Sequence, residues 1–78
     1  MNLTYTLMIN GSGFIRDISV PRDQMLKDTL VIIRDGGLAS ISSWELITAK
    51  SLRKGMYLSL GDTYEESGIY NGDIIEIN

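Results

Sequence analysis

An α+β roll, with one helix packed across one face of a sheet, is the fold class the sequence predicts. Three observations predict it. Residues alternate with a period of two toward both ends of the chain, one central segment repeats near every 3.6 residues, and Asn-Gly pairs stand where the alternating segments must turn. At 78 residues, 44% of them hydrophobic, the chain is expected to form one domain over 1–78 with a modest core. The helix is then the only cover the sheet has, and the other sheet face meets water.

From Asn2 to Ile9, Leu3, Tyr5, Leu7 and Ile9 fall on one face and Asn2, Thr4, Thr6 and Met8 on the other, as in a half-buried strand. Asn10-Gly11-Ser12-Gly13 accepts positive φ angles, so a second strand, Phe14 to Val20, is expected to return antiparallel to the first. Phe14, Ile18 and Val20 share its inward face, with Arg16 at the rim, and Pro21 ends it for want of an N–H. Asp23 is expected to cap a helix whose buried stripe is Met25, Leu26, Leu30 and Ile33, with Asp28 and Arg34 toward water. Gly36-Gly37 closes that helix, the first glycine taking the left-handed position.

Ser43 to Ala49 alternates again, Trp44, Leu46 and Thr48 against Glu45, Ile47 and Ala49, and reads as a third strand. Lys50 to Gly55 reads as a basic turn and Met56 to Leu60 as a fourth strand. Gly61-Asp62 turns the chain, Thr63 to Ser67 makes one helical turn before Gly68, and Asn71-Gly72 leads into a last strand, Asp73 to Ile77.

Composition removes whole classes of function. With no His and no Cys, zinc, iron–sulfur and thiolate chemistry are excluded, so no metal or cofactor is expected. A Cys-free chain is no disulfide-stapled secreted scaffold, which leaves the cytoplasm as the default location. A formal charge of −3 argues against nucleic acid, which wants a net basic face. Leu30-Val31-Ile32-Ile33 is far shorter than the ~20 apolar residues a membrane helix needs, and no signal peptide precedes the first strand, so no membrane insertion is expected.

Four clusters invite chemistry, and each has a plainer reading. Asp62, Glu65 and Glu66 lack the spacing of a calcium loop and read as a solvated acidic rim. Lys50, Arg53 and Lys54 fall short of the ~4–8 cations of a lipid-binding cluster and read as a solvated turn. Gly11 and Gly13 precede a strand instead of a helix and lack the Gly-Lys-Ser/Thr of a phosphate loop. Ser12, Ser42, Ser43 and Ser51 have no His base, so no catalytic nucleophile and no enzyme activity is expected.

Thr63-Tyr64-Glu65-Glu66-Ser67-Gly68-Ile69, followed by Asn71-Gly72-Asp73-Ile74-Ile75-Glu76-Ile77, resembles the short turn and last strand of the ubiquitin-like β-grasp. Within that fold the chain is most similar to the YukD/EsaB family of stand-alone bacterial proteins associated with type VII secretion, on its Ser-Gly-Ile, Asn-Gly-Asp and Glu-Ile elements. Two departures stand out: Tyr64 replaces the Leu that opens the family's short turn, and Lys50 to Gly55 makes a long turn between strands three and four. The resemblance implies a mixed sheet with the first and last strands adjacent and parallel at its centre. It also implies a non-catalytic module that binds protein partners, among them secretion components.

Ubiquitin and the related sulfur carriers end in Gly-Gly, whereas this sequence ends Glu76-Ile77-Asn78 and its Gly36-Gly37 pair reads as a helix cap. A carrier or subunit partner of an adenylating or sulfur-transferring enzyme is therefore the disfavoured alternative. If Leu3, Tyr5, Leu7, Trp44, Leu46, Ile75 and Ile77 face the helix, the wet face carries Thr4, Thr6, Met8, Ile47, Ala49, Ile74 and Glu76. On ubiquitin that face meets partners, with an exposed Ile in the third strand that Ile47 matches by position. The candidate partner site is thus Met8, Ile47 and Ile74, rimmed by Thr6 and Glu76. Self-association through an exposed strand edge is a further expectation.

Overall fold

The computed structural model describes residues 2–41 and 46–78. β1 (Asn2–Ile9) and β2 (Phe14–Pro21) form the expected hairpin, in register from Asn2 opposite Pro21 to Ile9 opposite Phe14. Gly11 and Gly13 turn it at φ 84° and 74°, angles that a side chain would oppose. After α1 (Leu26–Asp35) come β3 (Ala49–Ser51), β4 (Met56–Leu58), the single turn α2 (Tyr64–Ser67) and β5 (Ile74–Ile77). Among the described residues the sheet runs β2-β1-β5-β3-β4. β1 and β5 are parallel at its centre and every other neighbouring pair is antiparallel.

The core lies between α1 and one sheet face. Leu3, Tyr5, Leu7 and Ile9 of β1 and Ile75 and Ile77 of β5 meet Leu26, Leu30 and Ile33 of α1, with Phe14, Val20, Ala49, Tyr64 and Ile69 around them. Met25, expected in the buried stripe, precedes the helix and is exposed, and Thr29 takes a buried place on the helix instead. Thr29 is tolerable there because its hydroxyl accepts hydrogen bonds from the Tyr64 hydroxyl at 2.7 Å and from Gln24 Nε2 at 2.8 Å. The Tyr5 hydroxyl lies 2.6 Å from that of Tyr64, which extends the chain of bonds into the core. Tyr64, where the pattern the sequence resembles has Leu, is thus one link of a satisfied polar chain.

Both helix ends differ from expectation in an instructive way. Asp23 does not cap α1: Met25 is the N-cap and makes no side-chain cap bond. The first amides are met by backbone, Leu26 N–H donating to the Asp62 carbonyl at 3.2 Å and Lys27 N–H to that of Leu60 at 2.9 Å. The segment before α2 therefore does the work a capping side chain does elsewhere. At the C-terminus it is the second glycine that is left-handed, Gly37 at φ 72°, while Gly36 keeps φ −78°. Leu38 N–H then reaches the Ile33 carbonyl and Gly37 N–H that of Arg34, a Schellman closure displaced one residue from the expected one.

The third strand is the main correction. Residues 42–45, including Ser43, where it was expected to begin, and Trp44, which was expected to point inward, lie outside the described residues. β3 begins only at Ala49 and takes in Lys50 and Ser51, which were expected to turn. Its register is opposite to expectation: Ala49 and Ser51 point inward and are buried, Leu46 is 81% exposed, and Thr48 is exposed. Ile47, expected to face water, is half-buried and packs against the core. Pairing with β5 sets this register, since Ala49 lies opposite Ile77 and Ser51 opposite Ile75. A polar residue can hold the inward position because the Ser51 hydroxyl donates to Asp73 Oδ2 at 2.6 Å. Asp73, fully buried, also accepts from the amides of Ile74 and Arg53 through Oδ1. β4 stops at Leu58 instead of Leu60, and β5 starts at Ile74, one residue later than expected.

Candidate functional site

The sheet face opposite α1 is built row by row. Register places Ile15, Met8, Glu76, Lys50 and Tyr57 side by side across all of β2, β1, β5, β3 and β4. A second row sets Asp17, Thr6 and Ile74 together, and the Leu52 amide bonds the Ile74 carbonyl at 2.9 Å just beyond β3. Period-two alternation turns both rows outward because Leu7, Ile75, Ala49 and Ser51 between them point into the core.

Of the five candidate residues, four come together. Met8 and Ile74 are half-buried neighbours on adjacent central strands, with Thr6 and Glu76 beside them. Ile47 does not join them, for it lies ahead of β3 and faces the core. Lys50 occupies the outward β3 position instead, opposite Glu76. Its ammonium stands 5.5 Å from the centroid of the Tyr57 ring, and Tyr57 is 67% exposed. Lys50, Tyr57 and Ile15 are the members of this face that alternation alone missed. The signal for Lys50 was present as a charged residue flanked by the small residues Ala49 and Ser51, which fits an inward-outward-inward strand.

The polar groups hold the rim in place. Thr6 Oγ1 donates to Asp17 Oδ1 at 2.5 Å, and Glu76 Oε1 accepts from Asn78 Nδ2 at 3.2 Å. The basic cluster is dispersed: Arg53 Nε donates to the Gly72 carbonyl at 2.7 Å, while Lys54 Nζ donates to the Gly68 carbonyl at 2.8 Å and stands over the Tyr70 ring. Of the acidic rim, Glu66 is held below its ordinary carboxylate value by the Thr63 amide it accepts from, and that pair forms the capping box of α2. Desolvation by burial pushes the phenols of Tyr5 and Tyr64 above their ordinary value, so both stay neutral inside the core. Two apolar side chains at the centre, a cation and a carboxylate beside them and an aromatic ring at the edge suit contact with another protein's surface.

Several solved structures share this fold. A chain from "Molecular Mimicry of SUMO promotes DNA repair" matches 99% of this chain over 90% of its own, at 18% identity and a TM-score of 0.76. Caldiarchaeum subterraneum ubiquitin matches 99% of this chain over 91% of its own, at 14% identity and a TM-score of 0.71. The fold is the ubiquitin-like β-grasp. A further β-grasp likeness lies in "Structure of protomer 1 of the ESX-3 core complex", where all of this chain (100%) matches 16% of a longer one, at 14% identity and a TM-score of 0.66. No protein-family model and no curated protein sequence matches the chain. Among the described residues no helix is long and apolar enough to cross a membrane.

Proposed function

We propose that this β-grasp chain is a single-domain, non-catalytic protein-interaction module, and that it serves as a cytoplasmic accessory of a bacterial type VII secretion system. The observation that carries the interaction role is the outer face, where Met8 and Ile74 lie diagonally across the central strand pair with Thr6, Glu76 and Lys50 around them. Such a face offers a partner apolar area to bury and charges to fix its orientation. The secretion link rests on the resemblance to the YukD/EsaB family and on the β-grasp stretch within the ESX-3 core complex.

Affinity capture from the native host tests both parts. The expected partner is a component of the secretion apparatus, recovered by the unaltered chain and lost with Ile74→Asp. Lys50→Glu, which sets like charges opposite one another at a cost of about 0.2–1 kcal/mol, weakens capture while the circular dichroism of the folded chain persists. Full recovery of the partner by both folded variants contradicts the assignment of this face. A partner that adenylates or transfers sulfur contradicts the secretion role.

A further inference from the structure

Among the described residues β2 is the long unpaired edge of the sheet, eight residues against three in β4 at the opposite edge. The pairing of β1 decides which backbone groups that edge presents. Thr6 and Asn10 donate their N–H groups to the carbonyls of Asp73 and Ile77, and the Thr4 carbonyl accepts from Gly72, so the even residues of β1 turn toward β5. The odd residues of β1 therefore bond β2, where Phe14, Arg16, Ile18 and Val20 stand opposite them. By the same alternation, the N–H and C=O groups of Ile15, Asp17 and Ser19 point out of the sheet. Pro21 ends the row, having no N–H and giving its carbonyl to the Gln24 amide. Along this edge α1 leaves a shallow groove of about 200 Å³ between Ile18, Val20, Ile32 and Ile33, with Gln24 and Thr29. Ile32 is 64% exposed there.

We infer that this edge takes a second copy of the same chain, β2 against β2, antiparallel about a two-fold axis at Ile18. A closed pair of identical strands requires such an axis, and an axis between residues is excluded because it sets inward side chains opposite outward ones. Charge then selects among the rest. An axis at Asp17 opposes two aspartates, an axis at Arg16 two arginines, and an axis at Ser19 brings Arg16 opposite Arg22. Axes nearer either end leave most of β2 unpaired. With Ile18 on the axis, Asp17 meets Ser19 of the second copy, Arg16 meets Val20, and no like charges oppose one another within the strand. In this register Asp17 and Ser19 exchange N–H···O bonds both ways on each side of the axis, using the groups already turned outward. The inward faces bring Ile18 against its copy beside the two apolar grooves, where both lose water.

Sedimentation equilibrium from about 10 μM to about 1 mM reads the association directly. The expected result is a reversible dimer, with slowed hydrogen exchange at the amides of Asp17 and Ser19 as concentration rises. Ser19 is exposed, so its variants test the register without disturbing the core. Ser19→Asp faces Asp17 of the second copy and weakens the dimer about threefold or more, while Ser19→Lys tightens it by a similar factor. A monomer throughout the range overturns the inference. So does a dimer whose affinity is the same in both Ser19 variants, since its interface then lies elsewhere.

Discussion

Tyr64, a departure from the pattern the sequence resembles, is explained by its neighbours. Its hydroxyl donates to Thr29 and lies within hydrogen-bond distance of Tyr5, so a phenol is satisfied inside the core. Tyr64→Phe leaves Thr29 and Tyr5 short of a buried partner and is expected to cost about 1–3 kcal/mol, read as a lower urea midpoint. An unchanged midpoint would show that the bonded chain contributes nothing. The same pair is expected to contribute to an alkaline limb of stability. Both phenols are raised above their ordinary value of 10.0, so the folded state keeps protons that the unfolded chain releases. Their contribution is fully present below the unfolded phenol pKa and is lost as pH rises past it. Urea titrations across that range should show stability falling with pH, with a shallower fall in the double variant Tyr5→Phe, Tyr64→Phe.

Elements with a clear hydrophobic period were legible in the sequence, and element ends fixed by distant backbone were not. β1, β2 and the buried side of α1 follow from periodicity, and Leu30→Ala is expected to cost about 2–5 kcal/mol by opening a cavity beneath α1. The caps separate the two cases. Thr63 accepts from the Glu66 amide while the Glu66 carboxylate accepts from the Thr63 amide, a local pattern visible in the sequence as Thr-x-x-Glu. Asp23 is also a residue type that caps helices, but it stands two residues ahead of the actual N-cap, Met25, and the first helical amides, of Leu26 and Lys27, are taken by the carbonyls of Asp62 and Leu60. Thr63→Ala is therefore expected to cost about 0.5–2 kcal/mol, whereas Asp23→Ala stays within about 0.5 kcal/mol; denaturant midpoints compare them. Glu66 adds a pH signature. Its lowered pKa means that its contribution is present above the unfolded carboxylate value and is lost as pH falls through the folded one, so Glu66→Gln should flatten that part of the acid limb.

β3 was misread for a related reason. Apolar residues occupy both alternating sets between Ser43 and Ala49, so period two could not choose a face, and Lys50-Ser51 looked like a turn. What fixes β3 is pairing with β5 on one side and β4 on the other, together with the Ser51–Asp73 hydrogen bond that lets a polar residue point inward.

At the scale of the whole molecule, the helix covers one sheet face and the other is left to the solvent, which is what makes the outer rows available to a partner. Four of the five candidate residues lie there, because β1 alternates cleanly and β5 pairs with it in parallel. Ile47 was lost with the register of β3, and Lys50 and Tyr57 became visible only through cross-strand pairing. The most direct test of this face as the partner surface is photo-crosslinking in the native host, with a benzophenone amino acid placed in turn at Met8, on the outer face, and at Asp28, exposed on α1. The expected result is a covalent adduct with a secretion-apparatus protein from position 8 and none from position 28. Adducts with another protein from position 28 alone, or from neither position, would contradict it.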